Sequence, residues 1–281
     1  MQPLSFHLRV APFAPTSRPL VLGHRGASHD HPENTLLAFR EAMKQGADGV
    51  ELDVMRCGSG EVVVVHDDDL QRLAPGQPGA GQLVRQMSLG DLRRFDVGRG
   101  ERIPTLEEVF LALADTALVN VELKSPTLHR SADYLKLPFD DGLAAAVGAV
   151  LRRCGRLDPS GRTLISSFDP FQLLRFQTVA PGLPLGYLFE AGQGGFFRGL
   201  HKLPLFRLAA VHPEAKLLDG PSLRAWKARG LRVNTWTVDD PREVAAVAML
   251  GVDAIITNRP AATLAALTKR EAATQKDPAD E

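Results

Sequence analysis

Cysteine is scarce in this chain. Cys57 and Cys154 are the only two among 281 residues, far apart and in no ligand-like spacing. Such a pair builds neither a disulfide framework nor a thiolate metal site, and two ordinary thiols are expected. Net charge is missing as well: Lys plus Arg is 33 and Asp plus Glu is 33. No global electrostatic attraction toward nucleic acid or an anionic membrane follows, so any anion must be bound by a local arrangement. Met1 to Pro19 carries no charged stretch followed by an apolar run, and nowhere is there an apolar run long enough to span a bilayer. A cytoplasmic protein without a transmembrane segment is the expectation. No G-x-G-x-x-G follows any candidate strand, which removes the best support for a dinucleotide-binding fold. No internal repeat is visible.

What is present is ordinary material for a soluble core, with 44% hydrophobic and 23% charged residues. Short β-branched apolar runs alternate with helical patterns. Nine strands are expected: Leu20–Gly23, Gly49–Val54, Val62–His66, Leu118–Leu123, Thr163–Phe168, Leu185–Phe189, Ala209–His212, Arg232–Val238 and Ala254–Thr257. The clearest helix is Thr35–Gln45, with Leu36, Phe39, Ala42 and Met43 on one stripe and Gly46 as its stop. Others are expected over 105–114, 142–153, 170–179, 222–229, 241–250 and 261–268, with Asp169 and Asp240 as N-caps before prolines. The alternation implies parallel pairing and an α/β class. An open sheet and a closed barrel both satisfy it. The polar residues favour a (β/α)8 TIM barrel, because they recur at the C-terminal ends of several strands, and a barrel gathers those ends around one mouth. Nine strands are one more than that barrel needs.

The expected organisation is an irregular N-terminal arm over 1–17, one barrel domain over 18–268 and a polar tail over 269–281 that frays. Two long connections leave strands on the mouth side. One, about 67–102, reads as a small insertion after the third strand. The other, Ser125 to Asp141, carries Tyr134, Leu135, Leu137 and Phe139. Long ordered connections there are usually functional. The stretch Gly192–Phe206 reads as a lid or as the ordinary sixth barrel helix, and base rates favour helix plus loop.

Five constellations carry chemistry. In His24-Arg25-Gly26 a strand ends on a group that exchanges protons near neutral pH and on a planar fork of donors; alone, a solvated loop pair explains it equally well. In Glu51-Leu-Asp53 the two carboxylates share one strand face while Val50, Leu52 and Val54 share the other. If the apolar face packs on helices, the carboxylates enter the barrel, and a hard divalent cation such as Mg²⁺ or Ca²⁺ relieves their repulsion. Val62 to Asp67 is an apolar strand ending in His66-Asp67, either a core histidine or a second acid–base group. Asn120, Glu122 and Lys124 share a face; an isolated Glu/Lys pair at this spacing is usually a surface ion pair, and on a covered strand it becomes a third carboxylate and a cation for a substrate oxygen. Asn234 and Trp236 share another; for a lone tryptophan, core is the default and a substrate wall the alternative. Together these groups suit phosphate-ester cleavage.

The same residues form a recognisable series: His24-Arg-Gly, Pro32-Glu-Asn-Thr35, Gly46-Ala-Asp-Gly-Val-Glu51-Leu-Asp53, Val65-His-Asp67, Ile103-Pro-Thr-Leu-Glu107, Glu122-Leu-Lys124, Ser166-Ser-Phe168, Asn234-Thr-Trp236 and Gly251 to Pro260. In this order it resembles the glycerophosphodiester phosphodiesterase family. The resemblance implies a metal on Glu51, Asp53 and Glu122, with Mg²⁺ or Ca²⁺ as the usual ion. It implies His24 and His66 as base and acid, and Arg25 and Lys124 on the substrate phosphate. It implies Glu33, Asn34, Phe168, Asn234 and Trp236 around the pocket. The implied reaction takes a small glycerophosphodiester to an alcohol and glycerol 3-phosphate; the resemblance suggests the glycerol 2-hydroxyl as nucleophile with a cyclic phosphate on the way, and direct attack by metal-bound water is the alternative the sequence leaves open. The rivals are a lysophospholipase D or sphingomyelinase-D-like lipid phosphodiesterase and a non-catalytic barrel. The last requires a lost histidine or carboxylate, and none is missing.

Overall fold

A computed structural model describes residues 17–125, 141–157 and 161–275. The arm before residue 17, the aromatic-bearing part of the 125–141 connection and the last residues of the tail lie outside the described residues.

The strands are β1 (Leu20–His24), β2 (Gly49–Arg56), β3 (Val62–Val64), β4 (Leu118–Leu123), β5 (Thr163–Ser167), β6 (Leu185–Phe189), β7 (Ala210–Pro213), β8 (Arg232–Thr235) and β9 (Ala254–Thr257). All pair in parallel except β3, and β1 bonds to both β2 and β9, so eight strands close into a barrel. The surplus ninth strand is β3, which pairs antiparallel on β2. The connection Cys57–Glu61 is a tight turn, with Gly60 at φ +105°. It is far too short for the crossover that parallel neighbours require.

Helices alternate with the staves: α1 (Leu36–Lys44), α2 (Leu89–Leu92), α3 (Leu106–Ala112), α4 (Leu143–Arg153), α5 (Pro170–Val179), α6 (Gly195–Arg198), α7 (Gly220–Ala228), α8 (Pro241–Leu250) and α9 (Pro260–Gln275). Their starts are written in the sequence. Thr105 and Glu108 form a reciprocal capping box on α3, and Asp169 and Asp240 cap α5 and α8 ahead of prolines. Helix α7 starts earlier than the expected 222, because Asp219 caps it and accepts from the Ser222 N–H. Helix α9 runs on to Gln275 instead of fraying from 269; its Ala, Lys, Arg and Glu content favours helix. Gly192–Phe206 is the four-residue α6 followed by a 3-10 turn over Leu200–Lys202. That is helix plus loop where the sixth barrel helix belongs.

Alternation decides what faces inward. Val50, Leu52 and Val54 of β2 and Val119, Val121 and Leu123 of β4 join the main core between staves and helices. Their alternate neighbours therefore enter the barrel. Its floor is a small apolar plug of Leu20, Leu22, Leu164, Ala210, Ala254 and Ile256. The 67–102 insertion packs its own cluster, Leu70, Val84, Leu92 and Phe95 among others, on Met55, Val63 and Val65 of the β2–β3 hairpin.

Candidate active site at the barrel mouth

Strand register sets the level of each polar group. His24 pairs with Glu51, Glu51 with Asn120, and Asp53 with Glu122. The chain turns sharply after His24. Gly26 adopts φ +86°, where an added Cβ would lie 2.5 Å from the Ala38 carbonyl carbon, so only glycine fits. Arg25 and Asn34 also adopt positive φ, 56° each, which holds this turn in an uncommon conformation for residues with side chains.

Glu51, Asp53 and Glu122 are buried and bring ligand atoms within 4.8 Å of one another. Two are compensated by the protein. Asp53 accepts from Asn34 Nδ2 (2.9 Å) and lies 3.1 Å from Arg25 Nε and 3.5 Å from Lys124 Nζ. Burial alone would raise its pKa, but Lys124 and Arg25 hold it below the usual carboxylate range. Glu122 accepts from Lys124 Nζ at 2.9 Å. Burial also works against the Lys124 charge, yet Glu122 and Asp53 keep its pKa above the ordinary lysine value. Glu51 differs. Among the described residues its Oε2 accepts only from the Arg25 backbone N–H (3.1 Å), and its buried Oε1 has no partner. Burial, then Asp53 and Glu122, push its pKa well above the ordinary value. An uncompensated buried carboxylate beside two others is the donor set a hard divalent cation fits.

Both histidines have a fixed proton. Asp239 takes the Asn258 amide, Nδ2 to Oδ2 at 2.6 Å, which turns Asn258 Oδ1 toward His24 Nδ1 at 2.7 Å. Because that oxygen only accepts, His24 carries its proton on Nδ1 and presents a bare Nε2, 4.0 Å from Glu51. Burial and the Arg25 charge lower its pKa to about 4, so it is a neutral imidazole at neutral pH. His66 Nδ1 lies 2.6 Å from Asp67 Oδ1, and the carboxylate likewise fixes the proton on Nδ1.

A cavity of about 50 Å³ brings together His24, Arg25, Glu51, His66, Asn120, Glu122, Lys124, Phe168 and Trp236. A wider one of about 230 Å³ opens outward past Ser125, Glu190 and Gln193. Phe168 and Trp236 pack edge to face at 5.4 Å on the shared wall. Three expected pocket residues stand off that wall. Glu33 is drawn between Arg25 and Arg72 (2.8 and 2.7 Å), Asn34 is spent on Asp53, and Asn234 lies inside the barrel against His212 (3.1 Å). Each satisfies a buried or charged neighbour rather than facing the opening. Sequence reasoning left Asn258, Asp239, Asp67 and Arg72 without roles. Asn258 and Asp67 stood in quoted motifs; nothing local marked Asp239 or Arg72.

A closed barrel with buried carboxylates, two tautomer-locked histidines and two cations at its mouth defines a barrel hydrolase for anionic esters. The profile of the glycerophosphoryl diester phosphodiesterase family matches residues 24–262. A glycerophosphodiester phosphodiesterase of Caldanaerobacter subterraneus subsp. tengcongensis is 32% identical over 249 residues, covering 86% of this chain and 94% of that protein. One from Bacillus subtilis is 28% identical, over 86% and 84%. An Oleispira antarctica phosphodiesterase, solved with its product sn-glycerol-3-phosphate, superposes with a TM-score of 0.74 at 28% identity, over 89% and 97% of the two chains. The chain belongs to the glycerophosphoryl diester phosphodiesterase family and is a phosphoric diester hydrolase.

Proposed function

We propose that this protein hydrolyses small glycerophosphodiesters to an alcohol and glycerol 3-phosphate with the aid of a divalent metal. One observation carries the reading: a bare imidazole nitrogen on His24 shares a small cavity with Glu122, with the uncompensated carboxyl of Glu51 and with a second locked histidine. Glu51, Asp53 and Glu122 would hold Mg²⁺ or Ca²⁺, which when bound supplies charge neutralisation and polarises a phosphate oxygen.

The protein's own groups do the rest. Arg25 and Lys124 bind the non-bridging oxygens and orient the phosphate. His24 Nε2 accepts the proton of the attacking hydroxyl, and the Asn258–Asp239 pair keeps the ring aimed as its charge develops. His66, protonated on both nitrogens, donates from Nε2 to the departing oxygen, while Asp67 stabilises the imidazolium. An alkoxide is a poor leaving group, so this donation matters most for natural alcohols. Phe168 and Trp236 wall the cavity against water. The glycerol 2-hydroxyl is the nucleophile we favour. Its attack gives a cyclic phosphate that water opens with the histidine roles reversed.

The test is ³¹P NMR of glycerophosphocholine, glycerophosphoethanolamine and lysophosphatidylcholine incubated with the protein, with and without EDTA. Glycerol 3-phosphate released from the first two, and abolished by EDTA, is the expected result. Exposed Phe171 and Phe196, in helices that follow β5 and β6 at the mouth side, favour a second reading as a lysolipid phosphodiesterase. A higher kcat/KM on lysophosphatidylcholine would replace the first reading with that one.

A further inference from the structure

The insertion and the β1–α1 connection each deliver one half of the proposed chemistry. The insertion begins at His66-Asp67, and the β1–α1 connection carries Arg25 and Glu33. Arg72 joins them. Its Nε donates to Asp67 Oδ2 at 2.6 Å, while Nη1 and Nη2 grip Glu33 Oε2 and Oε1 at 2.8 and 2.7 Å. Glu33 Oε1 also accepts from Arg25 Nη1 at 2.8 Å, and Asp67 Oδ1 meets His66 Nδ1 at 2.6 Å. Arg25 Nε in turn reaches Asp53. One guanidinium therefore stands at the centre of an unbroken line of polar contacts from His66 to Asp53.

The alternative is an ordinary surface ion pair, since the Arg72 side chain is half exposed and such pairs contribute little. Three features argue against it. Both carboxylates are engaged on separate edges of the same planar fork, which a single ammonium cannot reproduce. Each carboxylate spends its other contact on a residue lining the inner cavity, His66 or Arg25. The neighbouring contacts close the same seam: Arg99 Nη1 lies 3.1 Å from His31 Nδ1, and Leu37 N–H donates to Glu101 at 3.3 Å.

The geometry points to Arg72 as a positioning residue that locks the proton-donor side (His66-Asp67) and the phosphate fork (Arg25) into one rigid unit. It touches neither substrate nor metal. This rests on the hydrolase reading above, with Arg25 on phosphate and His66 on the leaving group. Losing Arg72 frees Glu33 and Asp67 together, so substrate binding and leaving-group protonation fail together.

The experiment compares Arg72→Met, Arg72→Lys, Glu33→Gln and Asp67→Asn in the full chain with Mg²⁺, on glycerophosphocholine and on the glycerol 4-nitrophenyl phosphodiester. Supporting partners of active-site groups typically cost about 10- to 100-fold when removed. Arg72→Met is expected to raise KM on both substrates, as Glu33→Gln does. It should also lower kcat about 10-fold on glycerophosphocholine alone, as Asp67→Asn does. Arg72→Lys should restore one of the two defects and not both. Equal losses on the two substrates, or a lower melting temperature with both parameters unchanged, would overturn the assignment. A separate readout is the His66 Nδ1 proton in ¹⁵N-edited NMR of the metal-free protein. It should be protected from water in the wild type and exchange faster in Arg72→Met; equal exchange in the two proteins contradicts the clamp. If the wild type cleaves neither diester the hydrolase reading falls, while this proton still reports whether Arg72 holds Asp67.

Discussion

The two halves of the barrel differ in kind. Strands β1, β2 and β4 send His24, Glu51, Asp53, Glu122 and Lys124 toward the mouth, whereas β5 to β9 contain no carboxylate and face inward with Ser166, Gly186, Ala210, His212, Asn234 and Ile256. The first half is a charged site whose members need one another. The second half is a neutral wall set by close packing: a Cβ at Gly186 would collide with the His212 ring. A barrel tolerates such polarity on one side because its floor and outer face are apolar, and burial there supplies the folding stability that the charged side costs.

The largest effect should come from breaking the charged half at its uncompensated member. Glu51→Gln should lower kcat/KM roughly 10²- to 10³-fold, the scale seen when one electrostatic stabiliser is removed. The same change removes a buried carboxyl that burial and its two acidic neighbours disfavour as an anion in the metal-free protein, so its melting temperature should hold or rise. A fall in melting temperature with activity retained would make Glu51 a structural residue. Next comes the donor. His66→Ala should cost about 10²-fold on glycerophosphocholine and far less on a nitrophenyl ester, whose leaving group needs no proton. Equal losses would move the donor role elsewhere. A 2-deoxyglycerol diester should be inert; normal turnover would eliminate the hydroxyl nucleophile and leave the metal site standing.

His212, buried inside the neutral half, should answer to stability rather than rate. Burial lowers the His212 pKa to about 3. Its unfolded value is near 6.5, so below that pH the unfolded chain takes up a proton that the folded chain refuses. The neutral imidazole therefore costs nothing above pH 6.5, and stability is lost at about 1.4 kcal/mol per pH unit as pH falls from there toward 3. Urea unfolding of wild type and His212→Gln between pH 4 and 7 should show this slope flattened in the variant, which cancels contributions shared by both. Parallel curves would mean the ring is not buried neutral. The smallest effect is outside both halves. Thr105→Ala opens the α3 capping box and should cost about 1 kcal/mol in unfolding without changing kcat.

The sequence exposed the charged half better than its supports. Glu51, Asp53, Glu122 and Lys124 were legible because period-two alternation on a strand covered by helices leaves one direction for the polar members. The barrel followed from where those strands ended. β3 was legible as a strand but not as an antiparallel arm, although the short Cys57–Glu61 turn forbids a parallel partner. Glu33 and Asn34 stood in a motif beside the site, yet their contacts face Arg25, Arg72 and Asp53. A pattern of residues names neighbours in sequence and says nothing of which side each takes. Arg72 and Asp239 reach their partners only through tertiary contact, so no local period or spacing marks them. The stretch after 269 is polar, as a tail is, but its Ala, Lys, Arg and Glu content also suits the helix that continues to Gln275.

Location of the cation tests the contrast between the halves most directly. Crystals soaked in Mn²⁺, an anomalous scatterer of the same hard oxygen preference, would place the ion. Anomalous density is expected within about 2.0–2.6 Å of carboxylate oxygens from Glu51, Asp53 and Glu122 together, and absent from a Glu51→Gln/Asp53→Asn crystal soaked alike. Density bound elsewhere, or these three side chains left without an ion at saturating Mn²⁺, would contradict the assignment of the first half of the barrel as the metal-holding side.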